Sequence, residues 1–235
     1  MPRFARVVAP GAPHHVTQRS VSHQFVLQSD ADRTIYLELL RHACRLYKVS
    51  LAGYCLMSNH VHLIAIPDDR RSLPLALKYA HGRYATYFNA SRTASGHVWQ
   101  GRYYSCPMDT PHLWAALRYT ELNPVRAGLA REAEGYRWSS AAAHCGGAAT
   151  DWLDLRHWGR VWNASDWKTY LAADAGTNED DEIRRSTHTG WPLGAGEFVD
   201  QLEKALQRRL KPLRGGRPRK SQISGPQEAM AAGLL

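Results

Sequence analysis

Residues 50–67 read SLAGYCLMSNHVHLIAIP: two apolar runs split only by a short polar step at Ser58-Asn59. Runs this close describe neighbouring antiparallel strands, and Pro67 ends the second. A sheet built on such a hairpin must bury a face, so its flanks have to supply cover. Upstream, SDADRTIYLELLRHACRLYKV has Ser29 or Asp30 placed to cap a helix, with Ile35, Leu39, Leu40, Ala43 and Leu46 on one side. Downstream, residues 72–91 predict a second helix carrying Leu75, Tyr79, Tyr84 and Tyr87. HHVTQRS (14–20) reads as a first strand. GHVWQGRYYSCPMD (96–109) reads as a strand or hairpin segment, because aromatic and β-branched side chains suit a pleated surface. TPHLWAALRYTELN (110–123) predicts a third helix, capped by Thr110, started at Pro111 and broken or kinked by Pro124. Strand, helix, strand, strand, helix, strand, helix is the order of an α+β sandwich: an antiparallel sheet with helices on one or both faces.

Past residue 145 the pattern weakens. GGAATDW, DAGTNEDDE and THTGWPLGAG read as loops, and the acidic run Glu179–Glu182 as a solvated one. Residues 196–210 predict one amphipathic helix, and residues 221–235 are expected to be disordered. The expected organisation is a domain over 1–145, an extension over 146–220 and a terminal tail.

Side chains two apart on a strand share a face, so His60 and His62 project together, roughly 6–7 Å apart at Cα. Two imidazoles at that spacing can grip one divalent ion, and an added oxygen ligand favours Mg²⁺ or Mn²⁺. The same spacing also suits two histidines packed in an edge strand. In LRYTELNPVRAG, Tyr119 and Asn123 lie one helical turn apart on one face. An amide oxygen can ligate a metal, and a phenol can act as a nucleophile beside a polarised phosphate. A helix end with a packed tyrosine would carry the same letters.

The set SNHVHLIA, VWQGRYYS, RYTELNPVRAGL, YRWSSAAAH and GRPRK resembles the REP-associated tyrosine transposases, relatives of the single-tyrosine HUH transposases of small insertion sequences. The resemblance spans about residues 8–145 and runs more loosely through WPLGAGEFVDQLEKALQRRLKPLRGGRPRK. It implies a ferredoxin-like antiparallel sheet with helices. It implies a divalent metal on His60 and His62 with Asn123 as third ligand, and Tyr119 as the nucleophile. It also implies cleavage of single-stranded DNA at REP hairpins through a 5′-phosphotyrosine that frees a 3′-hydroxyl. Members of this group resemble monomers, and no heptad pattern here argues for a coiled-coil dimer, although a dimer stays possible.

Charge agrees with a nucleic-acid partner. Of 235 residues, 30 are Lys or Arg and 21 are Asp or Glu, a net charge of +9 that favours a polyanion. Candidate DNA contacts are Arg19 on the first strand, Lys78, His81 and Arg83 on the second helix, and Arg102 beside Tyr103 and Tyr104. Residues 204–220 carry eight Lys or Arg and no acid. Among them Arg214 precedes a GGRPRK segment, with Arg217, Arg219 and Lys220, that is similar to a minor-groove-binding hook. Cys44, Cys55, Cys106 and Cys145 follow no metal-binding spacing and read as reduced, buried thiols. The first sixteen residues hold no long apolar stretch of signal-peptide type, and no run of 18 apolar residues occurs. The expectation is a bacterial cytoplasmic protein associated with the nucleoid. A hairpin-binding protein without catalysis, or a metal-dependent nuclease using water, would be the rivals; a covalent protein–DNA adduct separates them from strand transfer.

Overall fold

The computed structural model describes residues 6–148, 151–173 and 177–211. Strands β1 (His14–Arg19), β2 (Val49–Leu56), β3 (His60–Pro67) and β4 (Tyr104–Pro107) form one antiparallel sheet in the order β2-β3-β1-β4. Helices α1 (Asp30–Leu46) and α2 (Ser72–Ser91) connect them in the sequence βαββαβ. That order and pairing are ferredoxin-like, as the resemblance implied.

Alternation along the strands sorts the two faces. Val16, Val61, Leu63 and Ala65 pack with Tyr36 and Leu40 of α1 and Leu73, Leu77 and Tyr84 of α2. Each such large side chain, once buried, contributes about 1.5–3 kcal/mol. On the opposite face, Ile64 and Cys106 pack with Leu113, Ala116 and Leu117 of α3 (Thr110–Arg126). The approach of α3 is close because β2 offers Gly53 at a bulge, where a Cβ would collide with Leu117.

Several local expectations change. Ser29 caps α1 in a full capping box with Asp32. The buried face of that helix, however, runs through Tyr36, Leu40, Ala43 and Cys44, and Leu46 is 55% exposed. The Tyr36 hydroxyl lies 3.0 Å from His81 Nε2 of α2, which fixes the rotation. Asp109, rather than Thr110, caps α3 by accepting from His112 N–H. The helix also continues through Pro124 to Arg126. The strand expected within 96–109 is confined to β4.

The largest change concerns residues 177–189. The acidic run is no loop: it opens helix α6 (Thr177–Thr189), with Glu179 and Asp180 in its first turn. Acidic side chains there favour the positive helix end. The helix lies against β4, β1 and α3. Two short helices, α4 (Ala141–His144) and α5 (Ala164–Ala172), precede it, and α7 (Gly196–Leu206) follows. The last ends where Gln207 turns left-handed at φ 49°. Leu202 and Leu210 pack on Val7 and Ala9. Residues beyond 145 therefore cover the α3 face and the chain start. They also cover both sheet edges, which blunts strand pairing with other chains. Asp154 N–H donates to Leu51 C=O (2.7 Å) beside β2, and Leu193 N–H donates to Pro107 C=O (2.9 Å) beside β4. The four cysteines are buried and free. No helix among the described residues is long and apolar enough to cross a membrane. The expected tail 221–235 lies outside the described residues.

Candidate active site

A cleft of about 560 Å³ opens between the α3-side face of the sheet, the C-terminal half of α3 and helix α6. His15, Thr17 and Arg19 of β1, His60 and His62 of β3 and Tyr104 of β4 form its floor. Tyr119, Asn123 and Arg126 line it from α3, and Arg184, Thr187 and His188 from α6. The side-chain parity of three strands and the one-turn spacing of α3 thus converge on one volume.

His60 and His62 stand with ring centroids 4.9 Å apart. Burial, with Arg19 and His23 acting in the same sense, lowers His60 to about 4. Burial holds His62 well below the usual imidazole range, with the neighbouring histidines and arginines adding to the effect. Both rings are therefore neutral at physiological pH, the form that ligates a metal. Each is also held at Nδ1: His60 Nδ1–H donates to Asn59 Oδ1 at 2.6 Å, and His62 Nδ1 meets His15 Nε2 at 3.0 Å. Nε2 is then the atom of each ring that a metal ion could use.

Tyr119 is 5% exposed, and its ring lies edge-on to His62 at 5.5 Å and to His15 at 5.6 Å. Arg184 Nε donates to the Tyr119 hydroxyl oxygen at 3.3 Å. The Arg126 guanidinium sits 5.2 Å from the centre of the same ring and pairs with Asp180 of α6 at 2.8 Å. Pro124 lacks an N–H, so the carbonyl left without its helix bond one turn back is that of Thr120. The neighbouring Tyr119 carbonyl accepts from Asn123 Nδ2 (2.8 Å) and from Arg126 (3.0 Å). Asn123 spends its amide nitrogen on this bond, and its oxygen is the atom a metal ion could use. The donor set is then two neutral imidazoles and one amide oxygen, which fits a hard or borderline divalent ion with open positions. Among the described residues, no third His, Cys, Asp or Glu joins in a metal-binding arrangement. The cleft lining carries Arg19, Arg126 and Arg184 and no carboxylate, a field suited to a phosphate.

The other expected DNA contacts divide. Arg19 lines the cleft. Lys78 and Arg83 are exposed on α2, across the sheet from Tyr119, and Arg102 is exposed outside the cleft lining. His81 is buried against Tyr36. Tyr103 is not a base platform: it is 6% exposed on the α1–α2 side, with Arg6 stacked on its ring at 3.8 Å. Tyr104 is the residue that faces the cleft, stacked on His188 at 4.8 Å. Arg214, Arg217, Arg219 and Lys220 lie outside the described residues. Sequence reasoning missed His15, Arg126, Arg184, Thr187 and His188. For His15 a signal existed, since it shares strand parity with Arg19; the α6 residues gave none.

The fold resembles that of a tyrosine transposase. A solved REP-associated tyrosine transposase bound to a REP hairpin matches with a TM-score of 0.50 and 16% identity, over 67% of this chain and 96% of that one. A putative transposase from Deinococcus radiodurans aligns over 55% of this chain and 92% of that one, at 15% identity and a TM-score of 0.36. No curated protein sequence matches the chain. The family match is narrower than the fold: residues 12–123 are similar to the model described as transposase, IS200 like. That similarity points to a transposase role in acting on DNA.

Proposed function

We propose that this protein cleaves and rejoins single-stranded DNA at a REP-type hairpin, through a covalent 5′-phosphotyrosine on Tyr119. The carrying observation is Tyr119: its ring lies edge-on to His62, one of a pair of neutral histidines, and its hydroxyl accepts a hydrogen bond from Arg184. The Tyr119 oxygen would form a bond to phosphorus while the bond from phosphorus to the 3′-oxygen breaks. The phenolic proton leaves to solvent and the departing 3′-oxygen gains one. A divalent ion on His60, His62 and Asn123, Mg²⁺ or Mn²⁺, would supply charge stabilisation at a non-bridging phosphate oxygen. Arg184 would hold the attacking oxygen in line and offset its developing negative charge. Arg19 would neutralise the strand as it crosses the cleft, and Tyr104 would stack a base beside His188. A phosphotyrosine keeps the phosphodiester energy, so rejoining needs no nucleotide cofactor. The hairpin substrate is taken from the solved relative, whose partner is a REP hairpin.

The test is a labelled single-stranded hairpin incubated with the full chain and Mn²⁺, then run under denaturing conditions. A slow-migrating adduct in the parent, absent in Tyr119→Phe while hairpin binding persists, is the expected result. Metal-dependent cutting by Tyr119→Phe would instead assign the attack to water.

A further inference from the structure

The three-member contact behind His62 has a polarity, and that polarity decides what His62 presents to the cleft. His62 Nδ1 lies 3.0 Å from His15 Nε2, and His15 Nδ1 lies 2.6 Å from Thr187 Oγ1. Thr187 Oγ1 lies 3.4 Å from Cys106 Sγ. All four side chains are buried: His15 is 1% exposed, Thr187 2%, His62 5% and Cys106 0%. Each neutral imidazole carries one proton, so the chain can run in only two directions. Outward, His62 Nδ1–H donates to His15, His15 Nδ1–H donates to Thr187, and the hydroxyl donates to the sulfur. The Nε2 atom of His62 is then a bare lone pair. Inward, the thiol would donate to Thr187, Thr187 to His15 and His15 to His62. The Nε2 atom of His62 would then carry a proton and could ligate nothing.

A thiol is a weak donor, whereas an imidazole N–H and a hydroxyl are good ones. The outward direction uses the good donors and leaves the sulfur as acceptor. His60 has the same outward tautomer, because Asn59 Oδ1 can only accept from its Nδ1–H. We infer that His15 is a positioning residue: with Thr187 it fixes the His62 proton on Nδ1 and leaves the Nε2 lone pair free at the cleft. This rests on the metal-binding reading of the histidine pair. It gives α6, which lies beyond residues 12–123, a part in arming a strand residue. Such outer partners set ligand orientation and basicity.

The test uses the full chain labelled with ¹⁵N-histidine. Long-range proton–nitrogen spectra of the metal-free protein, with His62 assigned by difference against His62→Ala, report where the proton sits. Protonation at Nδ1 is expected; a proton on Nε2 overturns the inference whatever the metal does. Calorimetric titration with Mn²⁺ gives the second reading. His15→Leu removes the acceptor and should mix the His62 tautomers and weaken Mn²⁺ binding about 10–100-fold. His15→Gln should recover most of that loss, since its amide oxygen can accept from His62 while its NH₂ donates to Thr187. Thr187→Val keeps the shape of position 187 and covers the case in which His15→Leu fails to fold; a smaller loss is expected. Parent-like tautomer and affinity in the foldable variants would overturn the relay. Absence of Mn²⁺ binding by the parent would sink the metal reading alone, because the spectra still decide the polarity.

Discussion

Arg184 donates to the oxygen of Tyr119 at 3.3 Å. A guanidinium cannot give up its proton in the working range, so Arg184 is a fixed donor rather than a base. Its value lies in charge that develops on the attacking oxygen and the phosphate. Removing one such donor costs about 10²–10³ in rate in comparable sites. Arg184→Ala should therefore slow single-turnover cleavage by about that factor, while hairpin affinity changes far less. Cleavage at the parental rate would remove Arg184 from the chemistry. At this scale the sequence was legible where a periodicity could be applied. His60 and His62 share a face because strands repeat every two residues, and Tyr119 and Asn123 because helices repeat near every four. Tyr103 and Tyr104 defeated the same reasoning. Adjacent residues always point to opposite sides, and only the pairing of Thr17 with Tyr104 shows which one joins the floor of the cleft.

Helix α3 holds the nucleophile, and its seat on the sheet is polar as well as apolar. Glu121, fully buried, accepts from Ser140 Oγ (2.6 Å), His144 Nδ1 (2.6 Å) and Trp167 Nε1 (2.9 Å). Ser140 also accepts from Tyr54 N–H of β2 at 3.0 Å, so this one carboxylate joins α3, α4, α5 and the sheet edge. It explains physically why TELN and SSAAAH stand in the same chain. Glu121→Ala would leave two buried donors, His144 Nδ1 and Trp167 Nε1, without this partner, a loss of about 3–5 kcal/mol by analogy with broken buried pairs. Urea denaturation should show the midpoint falling with little change in slope; a loss under about 1 kcal/mol would mean the site collapses without penalty. Helix α6, like the shorter α4 and α5, escaped the sequence. Its letters, TNEDDEIRRSTHT, offer Ile183 as the one large apolar residue, and the other inward positions are Thr187 and the site-facing Arg184 and His188. A helix that buries polar groups against an active site leaves no apolar stripe to read.

Across the whole molecule, buried neutral imidazoles make the fold sensitive to acid. His14 accepts Ala9 N–H at Nε2 (3.1 Å) and donates from Nδ1 to the Ala12 carbonyl (2.8 Å); burial lowers it to about 4. Burial lowers His81, bonded to Tyr36, to about 3. In the unfolded chain both titrate near 6.5. Between those values the unfolded state binds more protons, so stability is complete above pH 6.5 and is lost as pH falls toward about 4. At pH 5 the loss is about 2 kcal/mol for each residue, and urea midpoints at pH 7 and 5 should differ accordingly. Equal midpoints would mean that these rings charge in place. The order βαββαβ and the site's core of His60, His62 and Tyr119 were legible because local periodicities generate them. The roof supplied by α6 was not, because it depends on packing across long separations. The central claim, a nucleophilic tyrosine, is most directly tested by isolating the protein–DNA adduct, digesting it and locating the nucleotide by mass spectrometry. The account predicts a 5′-phosphorylated nucleotide on the peptide containing Tyr119. Attachment to Tyr104 or any other residue, or complete cleavage with no adduct, would contradict it.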